Sequence, residues 1–392
     1  MVVERLPKKY VSDGELKRRW DTVRNVMEEK EMDCLIIQNN NQHLGGYVRY
    51  FTDIPAQYGL LSTVIFPLRK EIVIVKPSIF PSRHHSIDKF KRDFKYLNLA
   101  YAPTLNYSNR IEAEAVISEI KSLKPNTIGF VGKGFMSSYL YRYLKENLTG
   151  CRFENFTDEV DEIKAIKSNE EFELIKLTAE IQDKAWEALP SIVRAGKTEN
   201  EIRAEVQELV VNLGSEEQLI YLGSAPPGQA PGLYPAFFCN RKLKKGDQFV
   251  ILIEVNGPGG YYCESARNVC LGEPTKEIQE AWDIVVKAQK VSVDLLRPGT
   301  NPGDLLEANN RFLEEHGYLG EGRLYGHSQG YDLVERPALR NDETMKVKAN
   351  MSISVHPLAV NDRVYMYVND NFWVTENGAV RIHQAPQDLI VI

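Results

Sequence analysis

Phe249-Val-Ile-Leu-Ile-Glu254-Val-Asn-Gly-Pro-Gly-Gly-Tyr-Tyr-Cys-Glu264-Ser-Ala-Arg267 reads as two strands joined by a tight reversal. The run before Glu254 is uniformly apolar, as expected of a strand buried on both faces, and Asn256 to Gly260 is rich in turn formers. Each strand carries one carboxylate. Pairing Val255 with Tyr261 sets Glu254 opposite Tyr262 and brings Glu264 diagonally onto the same face. A slip of one residue would send the two carboxylates to opposite faces. Spacing alone is equally compatible with an edge hairpin whose glutamates are solvated.

Downstream, Tyr325-Gly326-His327-Ser-Gln-Gly330 places a histidine between glycines in a turn beside a strand. Met351-Ser-Ile-Ser-Val-His356-Pro357 ends an alternating strand on a second histidine. A lone histidine is more often a satisfied structural residue than a ligand or a base. Upstream, Ser168 with Glu171 and Thr198 with Glu201 are S/T-x-x-E boxes that open long helices, and Gly214 stops the second. Helices are also predicted over 276–296 and about 304–316.

The first part of the chain alternates helix and strand. Ser12 with Glu15 opens a helix carrying Leu16, Trp20, Val23 and Met27 on one face. Strands are predicted at 34–37, 61–66, 72–75 and 127–131, with helices at 111–123 and 137–148. A charged connector, Asp158 to Lys167, then separates this α/β part from a larger α+β part.

Composition bounds the rest. The 392 residues imply two domains, and 43% hydrophobic with 26% charged residues is ordinary for a globular chain. With 48 basic and 54 acidic residues the net charge is −6, which argues against a dedicated nucleic-acid or anionic-membrane surface. Five cysteines without CxxC spacing suggest free thiols of a reducing compartment. Cys263, beside Glu264, is disfavoured as a nucleophile because a neighbouring anion raises a thiol pKa. The charged start MVVERLPKKY lacks the greasy core of a signal peptide, so the cytoplasm is expected, with no membrane partner. No phosphate loop or G-x-S-x-G elbow is present, Gly257-Pro-Gly-Gly260 is a turn, and Arg83-His84-His85 reads as a solvated loop.

Taken in order, these segments resemble the creatinase, prolidase and aminopeptidase P family. Asp161-Glu-Ile-Lys to Lys176 resembles its opening helix, and Leu243-Lys-Lys-Gly-Asp247 its lead-in to the first metal-binding carboxylate. Tyr262-Cys-Glu264-Ser-Ala-Arg267 stands at its Tyr-x-x-Asp-x-Thr-Arg run, and Gly326-His327-Ser-Gln-Gly330 at its Gly-His-x-x-Gly turn. Phe372-Trp-Val-Thr-Glu-Asn-Gly378 with Asp388-Leu-Ile-Val-Ile392 resembles its last strand and terminus, and Val48-Arg-Tyr-Phe-Thr-Asp53 its N-terminal domain. The resemblance implies a creatinase-like α/β domain over 1–157. Over 158–392 it implies an α+β pita-bread domain, a curved antiparallel sheet flanked by helices. It also implies a homodimer, with Arg49 and Tyr50 reaching into a partner's site.

The resemblance further implies metal positions, and these are rewritten here. The family's two aspartates fall on Glu254 and Glu264, its histidine is kept as His327, and its first glutamate becomes His356. Its second glutamate falls on Asn369, or on His383 in another alignment. A histidine of the preceding loop is missing, its region holding Tyr221, Tyr234, Phe237 and Phe238. Four carboxylates become two, so a bridged metal pair loses the anionic ligands that offset its charge. One divalent transition ion on Glu254, Glu264, His327 and His356, or none, is expected.

The leading expectation is therefore a creatinase-like hydrolase of a C–N bond in a small polar substrate. Glu254 and Glu264 would orient a cationic or amide group, and His327 or His356 would move the proton. Arg267, Arg336, Tyr50, Tyr234 and Asn369 are candidate substrate contacts, with Arg267 equally able to be structural. The alternatives are a metal-dependent Xaa-Pro peptidase with an altered site, a lyase on the same scaffold, and a non-catalytic binding relative.

Overall fold

The structure is a computed structural model that describes residues 4–39, 41–56, 60–78, 94–100, 110–238 and 240–392. Cys239 and the Arg83-His84-His85 segment lie outside the described residues. The chain divides into two compact units, Val11–Lys164, and Ala165–Ile392 together with the N-terminal residues to Tyr10. Among the described residues no helix is long and apolar enough to cross a membrane.

The first unit is an α/β layer structure. Its helices are α1 (Asp13–Glu29), α2 (Gly46–Thr52), α3 (Arg110–Leu123), α4 (Ser138–Asn147) and α5 (Thr157–Ala165). Its strands β1 (Cys34–Asn39), β2 (Ser62–Pro67), β3 (Val73–Ser78), β4 (Lys95–Ala100), β5 (Thr127–Val131) and β6 (Arg152–Asn155) form a mixed sheet in the order β4-β3-β2-β1-β5-β6. Ser12 caps α1 by accepting from the Glu15 N–H, but the Glu15 carboxylate turns to Arg18 and Arg19 at 2.8 and 2.9 Å, so only half of the expected box forms. Arg19 is fully buried, and a guanidinium there needs that carboxylate more than the cap does.

Helix α2 carries Tyr50. Its side chain is 2% exposed, with the Arg19 guanidinium 4.8 Å from its ring centroid and Phe51 edge-on at 5.8 Å. Arg49 is buried as well.

The second unit opens with α6 (Asn169–Ile192) and α7 (Glu199–Leu213), each started by a complete capping box. Gly214, at φ 119°, closes α7 in a conformation that favours glycine. Next come β7 (Gln218–Ala225), β8 (Gln248–Asn256) and β9 (Tyr262–Cys270), then α8 (Lys276–Leu295) and α9 (Pro302–Glu315). The chain finishes through β10 (Gly326–Ser328), β11 (Glu335–Ala338), β12 (Ser352–Val355), β13 (Leu358–Val360), β14 (Tyr365–Tyr367), β15 (Asp370–Thr375), β16 (Gly378–Arg381) and β17 (Ile390–Val391). Two sheets result, β17-β9-β8-β7 and β11-β10-β12-β15-β16, with β13 and β14 as a separate hairpin.

Alternation along β8 and β9 decides which side chains face the helices. Odd-numbered Phe249, Ile251, Ile253 and Val255 pack into a core with Ile181, Ala185, Leu189, Val206 and Val210 of α6 and α7. Each such burial stabilises the fold by about 2 kcal/mol. Gln182 of α6 pins the pair by donating to the Ile253 and Cys263 carbonyls, both at 2.7 Å. The even-numbered residues are thereby turned to the opposite face, where Val250, Leu252 and Ala266 pack with Tyr367 and the two glutamates lie side by side.

Candidate functional site

Glu254 and Glu264 are direct cross-strand partners, in the register Val255–Cys263 and Asn256–Tyr262. This differs by two residues from the expected pairing. The Gly257 N–H donates to the Tyr261 carbonyl and the Gly260 N–H to that of Gly257, so Tyr261 belongs to the turn. An even shift preserves the face, so both carboxylates still point the same way.

The second sheet supplies a matching row. His327 of β10 is the partner of Ser354 of β12, which is the partner of Asn371 of β15, so all three share a face. The expected turn at His327 is a short strand whose pairing with β11 shifts register between His327 and Ser328. Its glycines have distinct reasons. A Cβ on Gly326 would lie 2.3 Å from Leu339 and 2.8 Å from the Ser354 carbonyl, and one on Gly330 would lie 2.5 Å from the Glu335 carboxylate. Gly326→Ala is expected to force β10 away from β12 and to cost about 1–3 kcal/mol, read as a lower urea midpoint.

The two faces meet around Glu264. Its Oε1 accepts from the Ser354 hydroxyl and lies 3.3 Å from His327 Nε2 and 3.5 Å from His356 Nε2. Its backbone N–H donates to Asn371 Oδ1 at 2.8 Å. The imidazole centroids are 5.3 Å apart. Ser354 Oγ is also 2.8 Å from Asn369 Oδ1, while Asn369 Nδ2 is buried without a partner among the described residues. Glu254 accepts from Gln329 Nε2 at 2.9 Å, and Gln329 Oε1 accepts from Asn371 at 2.7 Å. Burial, and then the charge of Glu264, push the Glu254 carboxyl well above the usual range, favouring its neutral, proton-donating form.

The two imidazoles present opposite atoms. His327 Nδ1 lies 3.1 Å from the Ser328 carbonyl, which only accepts, so Nδ1 holds a proton, while Nε2 faces the Glu264 carboxylate at 3.3 Å. His356 Nδ1 lies 3.2 Å from Arg323 Nη1, which only donates, so Nδ1 is the acceptor and Nε2 holds the proton. Burial, then the positive charge of Arg323, press the His356 pKa well below the ordinary value, which keeps that ring neutral.

The remaining candidates are distributed differently. Arg267 is corrected to a structural role: odd-numbered on β9, it lies on the helix side, with its guanidinium 5.6 Å over Trp186 and 2.7 Å from Asp370. It also donates to the carbonyls of Ala266, Asn369 and Pro386. The Arg336 guanidinium lies 2.5 Å from Glu343, which also accepts from the Ala338 and Met345 N–H groups. Tyr234 lies half-exposed across Gly223 and Gly232. Asn369 reaches the site through Ser354. His383 stands further back, 3.5 Å from Asn371 Oδ1 and 3.6 Å from Asp183. Burial raises the thiols, Cys34 to about 12, Cys270 to about 11 and Cys263 well above its usual value, so none of these three is poised as a nucleophile.

Sequence reasoning missed Ser354, Gln329, Asn371 and Arg323. The alternation of Ser352, Ser354 and His356 was the available sign for Ser354, since every second residue of that strand is polar. Glu264, His327 and His356 are all buried, with one potential ligand atom each lying within 4.8 Å of the others. That is the donor complement of a single ion. Glu254 is outside this group, and only Glu264 within it carries a carboxylate to offset the charge of a bridged pair.

Comparison with known proteins follows the geometry. Residues 173–385, more than half of the chain, match the model of metallopeptidase family M24. An Xaa-Pro dipeptidase of Pyrococcus furiosus is 26% identical over 301 residues, which cover 74% of this chain and 85% of that protein. Among solved structures, an X-Pro aminopeptidase from Thermotoga maritima superposes with a TM-score of 0.82 at 21% identity, covering 95% of this chain and 99% of the other. A prolidase from Thermococcus sibiricus gives 0.81 at 18% identity, covering 97% and 100%. These likenesses establish the expected architecture, an α/β N-terminal part followed by a pita-bread part.

Proposed function

The chain belongs to metallopeptidase family M24, and on that premise we propose that it hydrolyses a C–N bond, amide or amidine, in a small polar substrate. The observation that carries this reading is the convergence of the Ser354 hydroxyl and two imidazoles on one buried carboxylate oxygen, Glu264 Oε1, with Glu254 directly opposite on the neighbouring strand. Amide hydrolysis needs a base for water, a donor for the developing oxyanion and a proton for the leaving nitrogen. Glu264 orients a water or a substrate N–H, Glu254 and His356 donate to the carbonyl oxygen, and an imidazole moves the proton. Asn369 and Tyr234 remain the candidate substrate contacts. A cytoplasmic homodimer completes the proposal, with sedimentation testing the dimer.

The test is a substrate panel of small amides, amidines and Xaa-Pro dipeptides, assayed by amine release. The reading expects turnover of a small amide or amidine to exceed that of every dipeptide by at least about tenfold. Faster cleavage of an Xaa-Pro dipeptide would replace it with a second reading, an Xaa-Pro dipeptidase, which the name of the Pyrococcus relative favours. In that case Glu264, His327 and His356 would hold one divalent ion, supplying Lewis-acid activation of the carbonyl. Stoichiometric metal after purification and loss of cleavage with a chelator are its signatures.

A further inference from the structure

We infer that Arg323 is a positioning residue that fixes the tautomer of His356 with its hydrogen on Nε2, which denies a divalent ion its third ligand. This does not rest on the hydrolase reading.

Arg323 stands in the irregular segment before β10 and is held on several sides. Glu321 binds it at 3.0 Å, and its guanidinium lies 5.1 Å over the Tyr367 ring. Its Nη2 donates to the His356 carbonyl at 2.8 Å, which aims Nη1 at His356 Nδ1, 3.2 Å away. A guanidinium has donors only, and a neutral imidazole has one donor and one acceptor. Nδ1 therefore accepts and Nε2 keeps the hydrogen, 3.5 Å from Glu264 Oε1 and buried without a hydrogen-bond partner among the described residues.

A metal takes the lone pair of an imidazole nitrogen, and a ligating histidine ordinarily donates its other N–H to a carboxylate or carbonyl. His327 has that arrangement, with Nδ1 on the Ser328 carbonyl. His356 has the reverse. Ligation through His356 Nε2 would require a proton on Nδ1, directed at a cation. Of the three-residue group that is otherwise spaced for one ion, two members can ligate and the third cannot.

The experiment uses the full-length protein labelled with 15N-histidine and long-range proton–nitrogen correlation, with His356 assigned by its disappearance in His356→Gln. The expected wild-type pattern is an unprotonated Nδ1 and a protonated Nε2, retained in Arg323→Lys. In Arg323→Met the Nδ1 proton is expected to appear, and Zn2+ affinity measured by calorimetry is expected to rise at least about tenfold. A wild-type His356 protonated on Nδ1 would overturn the inference, as would equal Zn2+ affinity in wild type and Arg323→Met. Neither readout needs a substrate, so a panel without amide turnover would remove the hydrolase reading and leave the lock standing.

Discussion

Glu264→Gln is expected to lower kcat/KM by about 10³-fold on the amide substrate that the panel identifies, whereas Glu254→Gln is expected to lower it by no more than about tenfold. The two substitutions are chemically identical and the residues are cross-strand partners, so the difference must come from their surroundings. Burial and the charge of Glu264 favour a neutral carboxyl at Glu254, and an amide reproduces its neutral shape and its ability to donate. Glu264 is ringed by the Ser354 hydroxyl and the two Nε2 atoms, and an amide there supplies neither the anion nor an oxygen free to hold a proton. Both variants should keep the wild-type urea midpoint to within about 1 kcal/mol, because volume is conserved. Equal losses of activity in the two variants would contradict the assigned roles.

Part of this site was legible because it follows strand arithmetic. The turn residues after Val255 announced a hairpin, and period-two alternation placed both glutamates on one face even though the register was two residues off. The same arithmetic, applied to Arg267, excludes it from the site: position 267 differs in parity from 264, so its side chain leaves on the helix side. Ser354 and His356 alternate together for the same reason. What stayed hidden depends on which strands lie side by side. Gln329 meets Glu254 across 75 positions of sequence, and Asn371 meets Glu264 across 107. Arg323 is the hardest to foresee. It lies in irregular backbone, where no periodicity aims a side chain, and contacts with Glu321, Tyr367 and the His356 carbonyl direct it. For Tyr50 a motif likeness placed the segment in the N-terminal domain but said nothing about which groups would surround its ring.

Arg267→Met is expected to lower stability by about 3 kcal/mol at neutral pH without an effect on substrate affinity in the fraction that remains folded. Methionine keeps much of the apolar stem over Trp186 but leaves Asp370 without its nearest cation, and three carbonyls lose a donor. Arg381, 3.4 Å from the same carboxylate oxygen, compensates in part, which holds the cost to the lower end of the range for a broken buried pair. The pH dependence separates this mechanism from simple loss of packing. Burial pushes the Asp370 carboxyl up, but Arg267, His383 and Arg381 outweigh it and hold it below the usual carboxylate range. A carboxyl depressed in the folded state contributes stability that is present above its unfolded value and lost as pH falls through its folded value. Without Arg267 the burial effect gains on the remaining cations, the folded value rises, and Asp370 takes up a proton at a higher pH than in the wild type. The stability gap is therefore expected to be full at neutral pH and to narrow on acidification, closing most steeply around and below the ordinary carboxylate range. Urea midpoints at several pH values give the result directly: a gap independent of pH would assign Arg267 to packing alone, and a narrowing one assigns it to holding the Asp370 charge at the junction of β9 and β15.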